Sequence, residues 1–397
     1  MTTQADLGTA DAVEAGIGRR WPVRAAVYGA ASLAVLLPTS TAGAGWYLAS
    51  YLLDAGRAKP YPIRVRSVGD GTVTLPRMEE FAGPLRMGLT WLGGHAVLGD
   101  VLSTDRTSVV REVVEVSRGT LRPGIRAYSN AYVYEGDPTS AHGLPFDEVT
   151  VPGELGGMPA WLVPPTTPAH GTWIIAVHGR GAPRGEVLRV LPTLAASGMH
   201  TLVITYRNDT GAPHSLGRQY HLGDTEWRDV AAAIQYAVAN GARSVVLYGW
   251  SMGGAAILTT MRRLAAPDVD AVRGIVLDCP VVDWVTTLRM NARRLALPPS
   301  WAWATLRLVE RRIGVRLAQL DHRRYAPDLA VPVLAFVDRD DMLVSPGPTL
   351  EFAAARPDLV TLVETRTAGH CRSWNLDPER YEAALADFLH DAVPRPA

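Results

Sequence analysis

Apolar and polar positions divide the chain into four stretches. Residues 1–24 are polar, carry no period, and are expected to be a disordered tail. From 25 to 53 no side chain is charged, while Arg19, Arg20 and Arg24 precede the run and Asp54, Arg57 and Lys59 follow it. That length exceeds the roughly 20 apolar residues that cross a bilayer, and Trp46, Tyr47 and Tyr51 suit an interface. A transmembrane anchor over 25–53 is therefore expected. The competing reading is a signal peptide cleaved near Ala42-Gly43-Ala44, but apolarity continues through Trp46-Tyr47-Leu48-Ala49 and favours the anchor. Arginines flank both ends, so charge orients the segment only slightly, and the rest of the chain is expected outside the cytoplasm. Residues 60–145 hold short alternating runs between turn signals, such as 63–68 before Gly69-Asp70-Gly71, and 108–114. They predict a small β-rich accessory region.

From 146 onward, apolar runs alternate with helical periods, which predicts an α/β class domain with a mostly parallel central sheet and helices on both faces. Residues 149–151 and 160–163 form a leading antiparallel pair. Residues 173–177 and 201–205 are unbroken apolar runs, as expected of strands covered on both faces. A helix follows over 226–240, then strands at 244–248, 274–277, 331–336 and 360–363, and a closing helix over 378–389. Between 280 and 328 lies a helical insertion carrying Trp284, Trp301, Trp303 and several arginines. The domain is thus expected to span 146–397, with 280–328 as a lid.

Composition removes several function classes. The 39 basic and 39 acidic residues cancel, so no charged field points to nucleic acid. Lys59 is the single lysine and lies far from any candidate nucleophile, which disfavours a serine–lysine mechanism. Cys279 and Cys371 are the two cysteines, with no C-x-x-C, so no metal, cofactor or disulfide framework is expected. One bridge between them stays open, with two reduced thiols as the default.

The chemistry centres on Gly249-Trp250-Ser251-Met252-Gly253, which follows an apolar strand and enters an alanine-rich helix. A serine becomes nucleophilic at a sharp, exposed strand-to-helix turn beside a base, and small residues two positions either side let backbone approach. The candidate base is His370, in Thr367-Ala368-Gly369-His370 after the last strand. Loops from the carboxyl ends of parallel strands converge, so Ser251 and His370 are expected to meet. His95, His142, His200, His214, His221, His322 and His390 read as surface or satisfied core residues. Asp338, Asp340 and Asp341 follow one strand. Asp341 is the chosen acid because Val344 and Pro346 turn the chain back to the sheet, leaving Asp338 and Asp340 as solvated or turn-forming. Oxyanion donors are expected at the amides of Met252 and of Arg180 in His178-Gly179-Arg180-Gly181, with His178 bracketing that loop.

The order Ser251, Asp341, His370, with His178-Gly179 upstream, resembles the α/β-hydrolase superfamily over 146–397. Gly249-Trp250-Ser251-Met252-Gly253-Gly254 and the Asp341-x-x-Val344 segment resemble its prolyl-oligopeptidase-like and serine aminopeptidase-like branch, which includes membrane-anchored esterases and lysophospholipases. The resemblance implies a serine hydrolase acting on a small-molecule ester or acyl substrate. A peptidase, amidase or acyltransferase using the same three residues, and a non-catalytic membrane-tethered binding module, are the alternatives. Trp301, Trp303 and Leu306 of the insertion are candidates for binding acyl chains, and Arg293, Arg294, Arg311 and Arg312 for anionic lipid.

Overall fold

The computed structural model describes residues 41–56 and 60–392, which build two sheets in sequence. The first has seven strands: β1 (Ile63–Arg64), β2 (Ser67–Gly69), β3 (Thr72–Pro76), β4 (Met87–Trp91), β5 (Gly94–Thr104), β6 (Ser108–Arg118) and β7 (Arg126–Asn130). Their order is β1-β7-β4-β5-β6-β3-β2, with every neighbouring pair antiparallel. Alternate residues such as Val73, Leu75, Leu89 and Leu98 face one buried core. Arg111 of β6 enters that core and is fully buried. Its guanidinium donates to the carbonyls of Phe81 (2.9 Å), Gly83 (3.1 Å), Leu85 (2.5 Å) and Gly99 (3.1 Å), so a buried charge closes the loop around the short helix α2 (Glu79–Ala82).

After α3 (Pro138–His142) comes a mixed eight-stranded sheet. Its strands are β8 (Asp147–Gly153), β9 (Gly156–Val163), β10 (Thr172–Val177), β11 (His200–Ile204), β12 (Ser244–Trp250), β13 (Val272–Asp278), β14 (Val333–Asp338) and β15 (Val360–Thr365). They run β15-β14-β13-β12-β10-β11-β9-β8, with the six from β10 to β15 parallel and β8 and β9 antiparallel at one edge. The period of two explains why the central strands are apolar throughout. Ile175, Val245, Leu247, Ile275 and Ala335 face one core, while Ile174, Val246, Tyr248, Val276 and Phe336 face the other. The second face is covered by α4 (Leu191–Ala196), α10 (Ser373–Leu376) and α11 (Pro378–Ala392), through Leu191, Trp374, Tyr381 and Leu385. The first is covered by α5 (Trp227–Ala239), α6 (Met252–Arg263) and α9 (Gly347–Ala355), and by the insertion helices α7 (Trp284–Arg294) and α8 (Pro299–Ile313).

The apolar run at the start of the chain behaves differently from a free membrane span. Residues 41–53 form a helix, α1, whose Ala49, Leu52 and Leu53 are buried in the first core. Gly45 approaches α8 so closely that a Cβ there would lie 3.0 Å from Ala304 Cβ. Arg312 donates to Ser50 Oγ at 2.7 Å, and the Tyr220 amide donates to the Leu53 carbonyl at 2.8 Å. The expected anchor over 25–53 is corrected for this half, because the Ala49, Leu52 and Leu53 face is consumed by protein packing, although Trp46, Tyr47 and Tyr51 on the other face are exposed. Among the described residues no helix is long and apolar enough to cross a membrane, and residues 25–40 lie outside them. Of the insertion arginines, Arg312 and Arg294 hold carbonyl or hydroxyl partners within the protein, the latter the Met342 carbonyl at 2.7 Å. Leu306 packs against the core, whereas Trp303 is exposed.

The two sheets meet at Asn375 of α10. Its side-chain amide donates to the carbonyls of Arg86 (2.8 Å) and Ala131 (2.9 Å), and its Oδ1 accepts from Arg189 (2.9 Å). Asn375→Ala leaves two part-buried carbonyls and a buried guanidinium short of partners, an expected loss of about 1–3 kcal/mol. A urea melt should show a lower midpoint at unchanged slope; an unmoved midpoint would mean that the junction carries no stability.

Candidate active site

Ser251 stands where β12 turns into α6, with φ 50° and ψ −114°, a backbone region that side-chain-bearing residues rarely adopt. Its neighbours fix that conformation. The Ser251 amide donates to the Asp278 carbonyl at 2.9 Å, and its carbonyl accepts from Val281 at 3.2 Å. A Cβ on Gly253 would fall 2.2 Å from the Val177 carbonyl oxygen, so this position needs glycine for close approach of β10 to the start of α6. Ser251 is the N-cap residue of α6, yet its hydroxyl makes no cap hydrogen bond.

The hydroxyl instead lies 2.9 Å from His370 Nε2. His370 follows β15 in a loop whose Thr367, Gly369 and Cys371 all have positive φ. Its Nδ1 lies 2.7 Å from Asp341 Oδ2, and Asp341 Oδ1 accepts the amides of Leu343 (2.7 Å) and Val344 (3.0 Å). Both ring nitrogens are thus engaged, and the ring cannot turn without breaking a hydrogen bond. Burial lowers the basicity of the imidazole, but the Asp341 carboxylate and its hydrogen bond, with Cys279 alongside, outweigh that and raise the His370 pKa above 6.5.

Asp338 and Asp340, on the same turn, do other things. Asp338 is fully buried rather than solvated, and it accepts from the Asp340 amide (3.0 Å), the Thr365 hydroxyl (2.9 Å) and the Ala368 amide (2.9 Å). It therefore ties the acid-bearing turn to the histidine-bearing loop. Asp340 is exposed and accepts the Thr367 amide at 3.2 Å. Among the background histidines, His322 departs from the satisfied-core expectation. It is buried with both ring nitrogens unpartnered, and burial next to Arg262 pushes its pKa down to about 3.

The loop after β10 lies over the serine. A Cβ on Gly179 would sit 3.3 Å from Ser251 Cβ. The Gly179 amide donates to buried Glu186 at 2.7 Å. Its carbonyl takes the Tyr206 hydroxyl (2.9 Å), His178 Nδ1 (2.9 Å) and the Ala182 amide (3.1 Å). His178 Nε2 pairs with Asp209 at 2.7 Å, and its ring stacks on Tyr206 with centroids 4.3 Å apart. Burial opposes a charge on His178, yet the Asp209 carboxylate raises its pKa. This pairing commits His178 to holding the loop. The Gly179 amide is thus consumed and cannot serve a charge developing above Ser251, whereas Met252 opens α6, where the first amides have no partner within the helix. The Arg180 side chain points to α1, its Nη1 3.4 Å from the Leu52 carbonyl. Glu186, Asp209 and Tyr206 do this positioning and carry no motif by which the sequence could single them out.

Cys279 and Cys371 are free, buried thiols placed against the same imidazole. The Cys371 amide lies 3.3 Å from Cys279 Sγ, and Cys371 Sγ lies 3.6 Å from His370 Nε2. Burial pushes the Cys371 thiol pKa well up. A cavity of about 800 Å³ lies elsewhere, between the two sheets. Its lining includes Tyr128 and His95 on one side and Gly181–Gly185 on the other, but neither Ser251 nor His370.

The sequence profile of an alpha/beta hydrolase family matches residues 174–384, and that of a domain of unknown function matches 64–130. No curated protein matches the chain in sequence. Among solved structures, an esterase from Pyrococcus furiosus is 18% identical, with a TM-score of 0.51 over 65% of this chain and 94% of its own. A puromycin-hydrolyzing peptidase from Mycobacterium tuberculosis is also 18% identical, with a TM-score of 0.50 over 84% of this chain and 54% of its own. At this identity the likeness is one of fold.

Nuclear magnetic resonance titration of the ring nitrogens should place the His370 midpoint above 6.5. Asp341→Ala removes the larger raising influence and leaves burial opposed only by Cys279, so the midpoint should drop. A midpoint that is unchanged in the variant would show that the carboxylate does not control the ring.

Proposed function

The chain belongs to the alpha/beta hydrolase family, and from that premise we propose that it is a serine hydrolase of carboxylic esters, with Ser251 as nucleophile, His370 as base and Asp341 as the acid that orients it. The observation that carries this reading is the continuous file of hydrogen bonds from Ser251 Oγ through both ring nitrogens to Asp341, at 2.9 and 2.7 Å. In the proposed reaction Ser251 Oγ attacks the ester carbonyl while its proton moves to His370 Nε2. Asp341 holds Nδ1–H and stabilises the imidazolium. The oxyanion receives hydrogen bonds from the amides of Met252 and Arg180, each worth roughly 3–4 kcal/mol in the transition state. Collapse expels the alcohol with the proton from Nε2, and water then repeats the sequence to free the acid and restore Ser251.

An apolar acyl or alkoxy group is supported by the rim beside the acid-bearing turn. Met342 and Leu343, directly after Asp341, are 56% and 49% exposed, and Leu295 at the end of α7 is 58% exposed. An apolar acyl or alkoxy group gains from covering such surface, at about 25 cal/mol per Å². Helices α7 and α8 are proposed to frame this rim as the lid. The likeness to a peptidase, which reaches across more of the chain than the esterase does, is the reason to run amides beside esters.

A panel of p-nitrophenyl esters of increasing acyl length, with aminoacyl amides beside it, tests the assignment. Esters should turn over faster than amides, and Ser251→Ala should lower kcat by at least about 10⁴-fold. Ester hydrolysis that survives Ser251→Ala would refute the mechanism, and amides outrunning esters would move the substrate class. The dependence of kcat/KM on pH follows from the base. His370 must be neutral to accept a proton, so kcat/KM should climb with pH through a midpoint above 6.5 and fall away below it. Attachment to a membrane through the N-terminal apolar run, with the catalytic part outside, is a proposal in which residues 25–40, shorter than the roughly 20 that span a bilayer, share the contact with the exposed Trp46, Tyr47 and Tyr51 of α1. The full chain should then resist carbonate extraction, while a chain lacking 1–40 should be released; equal release of both would rule it out.

A further inference from the structure

We propose that Cys279, Cys371 and His370 Nε2 form an inhibitory site for a thiophilic divalent cation, Zn²⁺ by its ligand chemistry, in which metal binding and activation of Ser251 exclude one another. Sequence spacing points away from such a site, because the two cysteines are 92 residues apart. The fold brings them together at the ends of β13 and of the His370 loop. One donor atom from each of the three residues lies within 4.8 Å of the other two.

The geometry suits tetrahedral Zn²⁺. Bonds of about 2.3 Å to sulfur and about 2.0–2.1 Å to nitrogen put an imidazole nitrogen roughly 3.5 Å from a thiolate sulfur. Cys371 Sγ is 3.6 Å from His370 Nε2. The outer shell is also in place. Metal-bound imidazoles almost always donate their other N–H to a carboxylate or carbonyl, and His370 Nδ1 is already 2.7 Å from Asp341. The Cys371 amide points at Cys279 Sγ at 3.3 Å and orients that sulfur. Two thiolates would neutralise the cation, each thiol giving its proton to solvent with no change of oxidation state. Both cysteines are buried, while Ser251 and His370 are half-buried, so the ion enters by way of the serine. Ser251 Oγ, 2.9 Å from Nε2, lies along the lone pair that the ion would take, so the hydroxyl must turn aside for the ion to bind.

The regulatory consequence rests on the assignment of His370 as the base; the binding site does not. A cation on Nε2 takes the lone pair that must receive the serine proton, so activity should fall in proportion to the fraction of sites filled. The full chain, reduced and stripped of metal by chelator, is dialysed against Zn²⁺ or Co²⁺. We expect one ion per chain, a thiolate-to-cobalt charge-transfer band, and loss of p-nitrophenyl butyrate turnover that returns with chelator. Cys279→Ala and Cys371→Ala should each weaken binding by about 100-fold or more, beyond the 10–100-fold that loss of an outer partner costs. Absence of bound metal, or cobalt bound without the thiolate band, overturns the site; so does Zn²⁺ inhibition undiminished in either variant. If a variant fails to fold, the band in the wild-type chain decides. A chain that binds cobalt through thiolates but turns over no ester keeps the site and loses the proposed function.

Discussion

The structure turns on holding one imidazole between two oxygens, Ser251 Oγ at 2.9 Å and Asp341 Oδ2 at 2.7 Å. The three residues come from three loops at the carboxyl edge of a parallel sheet, where strand ends gather side chains distant in sequence. None of these loops is held by hydrogen bonds within itself alone. The serine turn is locked by close approach of Gly253 to Val177 and by the Asp278 carbonyl. The acid turn and the histidine loop are tied to each other by buried Asp338. A ring pinned at both nitrogens by such supports needs little reorganisation for proton transfer.

The seven-stranded sheet has a place in the same scheme. Ala368, two residues before His370, is buried in that sheet's core, and Leu376 packs against it. Asn375 carries hydrogen bonds to Arg86 and Ala131 of the N-terminal part. The accessory sheet therefore braces the histidine loop. Helix α1 does something similar at the other flank, where it covers α8 and touches Arg180 through the Leu52 carbonyl.

Much of this was legible because buried parallel strands are apolar on both faces, and a glycine-flanked serine after one of them has few other uses. The strands of 146–397, the closing helix and the meeting of Ser251, His370 and Asp341 follow from patterns local to each segment. Other features depend on contacts between distant segments and left no local trace. Residues 41–53 are as apolar as a membrane span, yet one face, with Ala49, Leu52 and Leu53, is spent on the first core while Trp46, Tyr47 and Tyr51 are exposed. Asp338 and Asp341 are alike in sequence and both buried, and only their partners, Thr365 and Ala368 for one and His370 Nδ1 for the other, separate a loop brace from the partner of the histidine. The two cysteines lack a metal-binding spacing, and only the turn at each strand end carries them to one imidazole.

Reaction of the metal-free chain with a fluorophosphonate, followed by peptide mass mapping, tests the central claim most directly. One adduct per chain is expected, on the peptide bearing Ser251, and none after His370→Ala. Modification at another residue, or labelling that persists at full rate without the imidazole, would contradict the account.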